Sequence, residues 1–262
     1  MHTTLLLSLL ALPFFAQPQE ECCQEKLTAG EPPCCAAEEA PLVEEPATDE
    51  MFAKWLILPM GQGELAKAVR HDLAALAVRK KFIFKVYGFG LYFDSAAMAA
   101  DAELKKAAGD STLKELKKDK DFHQAMLSDS FGKSLAWTMV RDVDAEDIGE
   151  AFDDQLEPRL ESKTKDKKEL TAAKEALGTF AGYFSVGELT EGTTLLFYWE
   201  PGGRLHTWID GKKKGVIEST QLCWALFDVY LGDGKGVVSS DARDDAVAAV
   251  HAALNPQVAA TE

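Results

Sequence analysis

The residues best placed to do chemistry are an arginine and a tyrosine in one apolar run, Arg79 and Tyr87 of VRKKFIFKVYGFGLYF (78–93). A guanidinium and a phenol facing into an apolar layer would anchor a carboxylate or an enolate through charge-assisted hydrogen bonds. Eight positions apart, they share a face at the strand period of two, provided that Arg79 already belongs to the strand. A solvated charge at the strand entry beside a core tyrosine would produce the same residues. The rest of the chain offers less. No two of His2, His71, His123, His206 and His251 fall at metal-ligand spacing, and His206 reads as an ordinary strand histidine. No glycine-rich phosphate loop, nucleophile elbow or paired zinc motif is present. Asp142, Asp144, Asp147 and Asp153–Asp154 read as the acidic start of a capped helix, not as a catalytic pair. No cofactor and no metal is expected.

The elements that must position the pair follow from periodicity. Residues 52–60 read as a first strand ended by Pro59 and Gly61. Residues 63–77 are ambiguous, because Leu65, Val69, Leu73 and Leu76 sit at helical spacing ahead of a plain strand. Residues 94–116 read as two short helices and 135–141 as a strand. A helix capped by Asp144 carries Ile148, Phe152 and Leu156 on one face and is expected to end at Pro158. Leu170, Ala173, Leu177, Phe180 and Phe184 make one stripe on the next helix. Residues 193–217 read as a three-strand antiparallel meander with turns at 200–203 and Asp210–Gly211. Two more helices open at Ser219 and at Ser240 or Asp241, the last closed by Asn255–Pro256. Without βαβ alternation, a segregated α+β layer arrangement is favoured over a parallel sheet.

Composition narrows the function. The net charge of −15 argues against a nucleic-acid partner, since there is no basic excess to displace counterions. Residues 5–15, LLLSLLALPFF, have signal-peptide length and are too short to span a membrane, so 1–16 is expected to be an export signal and the protein periplasmic or secreted. A membrane partner is expected only through an uncleaved N-terminus. Residues 17–50 hold ten acids, five prolines and one lysine, the composition of a linker too polar to offset its ordering entropy. They also carry Cys22, Cys23, Cys34 and Cys35, which in an exported chain suggest disulfides within or between chains; vicinal pairs suit zinc poorly. Cys223 reads as a buried thiol. The domain is expected over 51–255, with a tail at 256–262.

Together VRKKFIFKVYGFGLYF (78–93), LAWTMVRDVDAEDIGEAF (135–152), GELTEGTTLLFYWEPGG (187–203), IDGKKKGVIEST (209–220) and ALFDVYLG (225–232) resemble the chalcone isomerase-like family, in its order. The resemblance implies an open-faced β-sandwich, a large antiparallel sheet with a layer of helices on one face and a ligand cleft between them. It also implies one of two activities. True chalcone isomerases cyclise a chalcone using an arginine, a strand threonine, and a tyrosine and asparagine on the following helix. Non-catalytic relatives hold a fatty-acid carboxylate with the arginine and a strand tyrosine. Here Tyr87 occupies the threonine place, Ile148 the tyrosine and Gln155 the asparagine, which points to the binding type. Arg79 fills the arginine place, with Arg70 as the other arginine in reach.

The expected function is therefore binding of a small amphipathic carboxylate such as a fatty acid. Arg79 and Tyr87 would hold the head group, and Phe82, Phe84, Phe89, Ile148 and Phe152 would enclose the tail. The alternatives are an isomerase acting on an unknown enone or phenol, and an envelope interaction module with a vestigial pocket.

Overall fold

The computed structural model describes residues 40–61, 66–184, 187–234 and 236–255. The apolar N-terminal segment, Cys22, Cys23, Cys34, Cys35 and the tail 256–262 lie outside them. Among the described residues eleven strands run in chain order: β1 (Leu42–Glu45), β2 (Glu50–Ala53), β3 (Trp55–Met60), β4 (Lys67–Lys81), β5 (Phe84–Phe93), β6 (Lys133–Met139), β7 (Val143–Asp144), β8 (Glu188–Leu189), β9 (Thr194–Glu200), β10 (Arg204–Ile209) and β11 (Lys212–Glu218). Four short helices, α1 (Ser95–Ala100), α2 (Ala102–Ala108), α3 (Leu113–Leu116) and α4 (Lys120–Met126), separate β5 from β6. The longer helices are α5 (Ala145–Lys163), α6 (Lys167–Ala181), α7 (Thr220–Leu231) and α8 (Ser240–Leu254).

Among the described residues the main sheet has seven strands in the order β11-β10-β9-β6-β5-β4-β3, every pair antiparallel. The helices pack on one face of it, in the expected α+β arrangement. Strand alternation divides the residues. Tyr87, Phe89, Leu91 and Phe93 of β5, Leu135, Trp137 and Met139 of β6, and Leu195, Phe197 and Trp199 of β9 bury against the helices. The opposite set faces the inside of a curl. The Gly61 N–H, at the end of β3, donates to Glu200 Oε1 on β9 at 2.6 Å although three strands separate them in the sheet. Leu58, Tyr198 and Trp208 close this inner face as a second apolar cluster.

Several elements differ from the sequence expectation, each for a local reason. Residues 67–77, within the described part of the ambiguous stretch, belong to strand β4 and not to a helix. β4 carries a bulge between Leu73 and Ala75, so His71 faces the inside of the curl while Ala75 faces the helices. That extra residue breaks the period of two and imitates helical spacing. The run 78–93 is a hairpin, not one strand, with Phe82 at φ 58° in a two-residue turn. Residues 94–116 hold three helices, not two. Helix α5 continues through Pro158 to Lys163. Pro158 and Asp154 are both exposed, so the carbonyl that the proline leaves without a donor is open to solvent, while Leu156 and Leu160 on the other side are fully buried. Residues 42–53, mostly assigned to the linker, pair as the hairpin β1–β2. It lies over β5 at Gly88, where an added Cβ would come within 2.9 Å of Thr48 Oγ1 and 3.4 Å of Phe52. The meander and the Ser219 cap are as expected, and so is the α6 stripe as far as Phe180, while Phe184 lies beyond the helix in the 3-10 turn Gly182–Phe184. Cys223 is a buried free thiol.

Candidate functional site

A cleft of about 530 Å³ lies between the helix-side face of β4–β6 and helices α5 and α7, within the roughly 300–1,000 Å³ usual for ligand pockets. Arg79 and Tyr87 reach it together, though not as two residues of one strand. They are directly opposed Cα partners on β4 and β5, and opposed residues of an antiparallel pair share a face. The next register shift leaves Val86 as the extra residue of a bulge, and Val86 too lines the cleft.

The floor is aromatic. Tyr87 stacks on Trp137 of β6 at 3.9 Å and 11°, and Trp137 in turn stacks on Phe152 of α5 at 5.7 Å. The Tyr87 hydroxyl hydrogen-bonds the Tyr230 hydroxyl of α7 at 2.8 Å. Burial pushes the Tyr87 phenol up to about 12, and the Tyr230 bond and the Arg79 charge only partly offset this. Burial also raises Tyr230 well above the usual phenol value, with the adjoining Tyr87 adding to it. Both phenols therefore stay protonated at neutral pH. One hydroxyl donates to the other, which leaves one O–H proton to offer a ligand. The Trp137 indole N–H is buried without a well-formed hydrogen bond, although it lies close enough to Tyr230 to favour the phenolate there.

Arg79 is half-buried at the edge of this floor and takes no ion pair or hydrogen bond among the described residues. A guanidinium in such a place has five donors and no acceptor committed to it. Arg70, the other candidate, is excluded. It is exposed, bound to Asp72 at 2.6 Å and stacked over Trp55, and it does not line the cleft.

The walls are amphipathic. Helix α5 presents Ile148, Ala151, Phe152 and Gln155, while Leu226 and Val229 of α7 complete the apolar side. Asp144, Asp147 and Asp154 form an acidic lip; Lys81, Phe82, Phe84 and Arg141 form the opposite one. Ile148 and Phe152 thus lie in the wall as expected, and Phe82 and Phe84 at the mouth. Phe89 does not line the cleft. It sits 1% exposed in the core behind it, edge-on to Tyr230 at 5.1 Å. The reason is depth: two residues beyond Tyr87 on the same face, β5 has already passed beneath α7. Tyr230 and Trp137 were missed by sequence reasoning, which read ALFDVYLG as a helix ending and LAWTMVR as a strand. Polar-tipped aromatics in otherwise apolar faces were the available signal.

A family model described as chalcone isomerase-like matches residues 68–237. The chain belongs to the chalcone isomerase-like family. Among solved structures, one similar to it is a fatty-acid binding protein of Arabidopsis thaliana, with a TM-score of 0.65 and 19% identity, covering 82% of this chain and 99% of that one. At that identity the likeness concerns the fold. No curated protein matches the sequence. Ile148 and Gln155, which the sequence resemblance would put at the places of a helix tyrosine and asparagine in catalytic members, both line the cleft wall. Ile148 can neither give nor take a proton.

Proposed function

We propose that this member of the family binds a fatty acid, or a similar single-chain amphipathic carboxylate, without transforming it. The observation that carries this reading is the convergence of Arg79, which takes no ion pair among the described residues, with the protonated Tyr87–Tyr230 pair and the Trp137 N–H beside Tyr230 at one end of a largely apolar slot. Two carboxylate oxygens could take the guanidinium and a phenol O–H as charge-assisted partners. The tail would lie along Phe152, Ile148, Leu226 and Val229. A solved relative of the same fold is itself a fatty-acid binding protein, which supports the reading.

Proton-transfer chemistry is disfavoured, because burial holds both phenols protonated and Ile148 stands at the position of the catalytic tyrosine. Chalcones should cyclise in its presence only at their spontaneous rate. Native mass spectrometry of the purified protein is expected to release a fatty acid on denaturation, and Arg79→Ala to reduce its occupancy sharply. Full occupancy in Arg79→Ala would refute the assigned anchor. Export is part of the proposal on the strength of residues 5–15; N-terminal sequencing of the mature protein, expected to begin near residue 17, tests it.

A further inference from the structure

The turn of the β4–β5 hairpin holds three large apolar side chains in solvent, Phe82 91%, Ile83 84% and Phe84 56% exposed. Phe82 adopts φ 58°, a conformation that a turn ordinarily gives to glycine or asparagine. An aromatic there is strained and gains little packing within the chain in return. The charge around the tip is equally out of keeping with the rest. From residue 73 to residue 93 there is no carboxylate, while Arg79, Lys80, Lys81 and Lys85 cluster at the turn of a chain whose net charge is −15. Arg141 adds a fifth cation, stacked over the Phe84 ring at 5.2 Å. Apolar side chains projecting through a basic collar match the two attractions of an anionic bilayer, apolar burial at the headgroup boundary and lysine–phosphate contact.

We propose that this tip docks on an anionic lipid bilayer, with Phe82, Ile83 and Phe84 entering the boundary between headgroups and acyl chains. Asp142, Asp144, Asp147, Asp154 and Glu188 also line the cleft and would be repelled by the lipid, so the part that enters is the hairpin tip and not the whole cleft rim. Phe82 and Phe84 belong both to the tip and to the cleft mouth. If the fatty-acid reading holds, on which this consequence rests, the ligand passes between bilayer and cleft without crossing water.

The test is flotation of the full chain with vesicles of phosphatidylcholine alone and of equal parts phosphatidylcholine and phosphatidylglycerol, beside palmitate titration of the same samples. The wild type should bind the mixed vesicles, be released by salt, and bind phosphatidylcholine alone weakly. Ile83→Ser should weaken partitioning about tenfold and Lys80→Gln about fivefold. Neither residue lines the cleft, so palmitate affinity should stay unchanged in both. Equal vesicle binding by wild type and Ile83→Ser would overturn the proposal, as would equal binding to both vesicle types. Self-association through the tip without vesicle binding, seen by ultracentrifugation, would likewise overturn it and assign the tip to a protein contact. Docking that persists in a protein unable to bind palmitate would support it while refuting the ligand reading.

Discussion

The two faces of the main sheet both bury polar groups, yet they use them oppositely. Inside the curl, His71 shares a hydrogen bond with Ser134 Oγ at 3.0 Å, and His206 Nε2 donates to Glu200 Oε2 at 2.7 Å. Burial opposes ionisation of Glu200, but bonds from His206, Gly61 and Arg204 outweigh it and hold its carboxyl below the usual value. Burial and the nearby Lys133 charge lower His71 to about 3. These are the residue types most often associated with catalysis, and here Leu58, Tyr198 and Trp208 pack around them. On the helix side, an arginine, two phenols and an indole surround an open slot. Unpartnered polar atoms occur on both faces, His71 Nε2, Tyr198 Oη and Trp208 Nε1 among those inside the curl, so what sets the helix side apart is the open slot beside its donors.

The contrast can be broken most forcefully with acid. The folded pKa of His71, about 3, lies below its ordinary 6.5, so between those values the unfolded chain binds the extra proton. Stability should then fall as pH drops through that window, by about 4 kcal/mol at the lower end. Urea unfolding as a function of pH should show this acid limb in the wild type and a flatter one in His71→Gln. The inner face should also resist added volume. A Cβ on Gly132 would lie 2.7 Å from His71 Nε2 and 3.3 Å from Tyr198, so Gly132→Ala should cost about 2–3 kcal/mol in chemical denaturation.

The cleft should respond the other way, in binding and not in stability. Arg79→Ala should weaken fatty-acid affinity about 30-fold in calorimetric titration, the loss of a charge-assisted bond, while leaving unfolding within about 0.5 kcal/mol of wild type. The smallest effect is expected from Tyr87→Phe, about fivefold in affinity, because the Tyr230 hydroxyl freed from Tyr87 can donate in its place.

Much of this was legible in the sequence, and what was not has physical causes. The meander at 193–217 was clear because TTLLFYW and RLHTWI are rich in β-branched and aromatic residues and the turns between its strands carry Pro-Gly-Gly and Asp-Gly. Arg79 and Tyr87 were identified as partners on the strength of a continuous strand, whereas a hairpin brings them together. The turn at Phe82–Ile83 has no residue that signals a turn. Tyr230 meets Tyr87 across 143 positions, a contact that local periodicity cannot encode. The hairpin β1–β2 was hidden by composition: its acids and prolines read as linker, while Phe52 alone is buried on β2 and packs against β5.

The most direct test of the cleft as a carboxylate site is carbon-13 NMR of palmitate labelled at the carboxyl carbon. In complex with the wild type, the resonance should shift from its free position and titrate below the free acid's pKa, because Arg79 stabilises the ionised form. Arg79→Ala should abolish that depression. A bound carboxyl that titrates like free palmitate, or identically in the two proteins, would contradict the account.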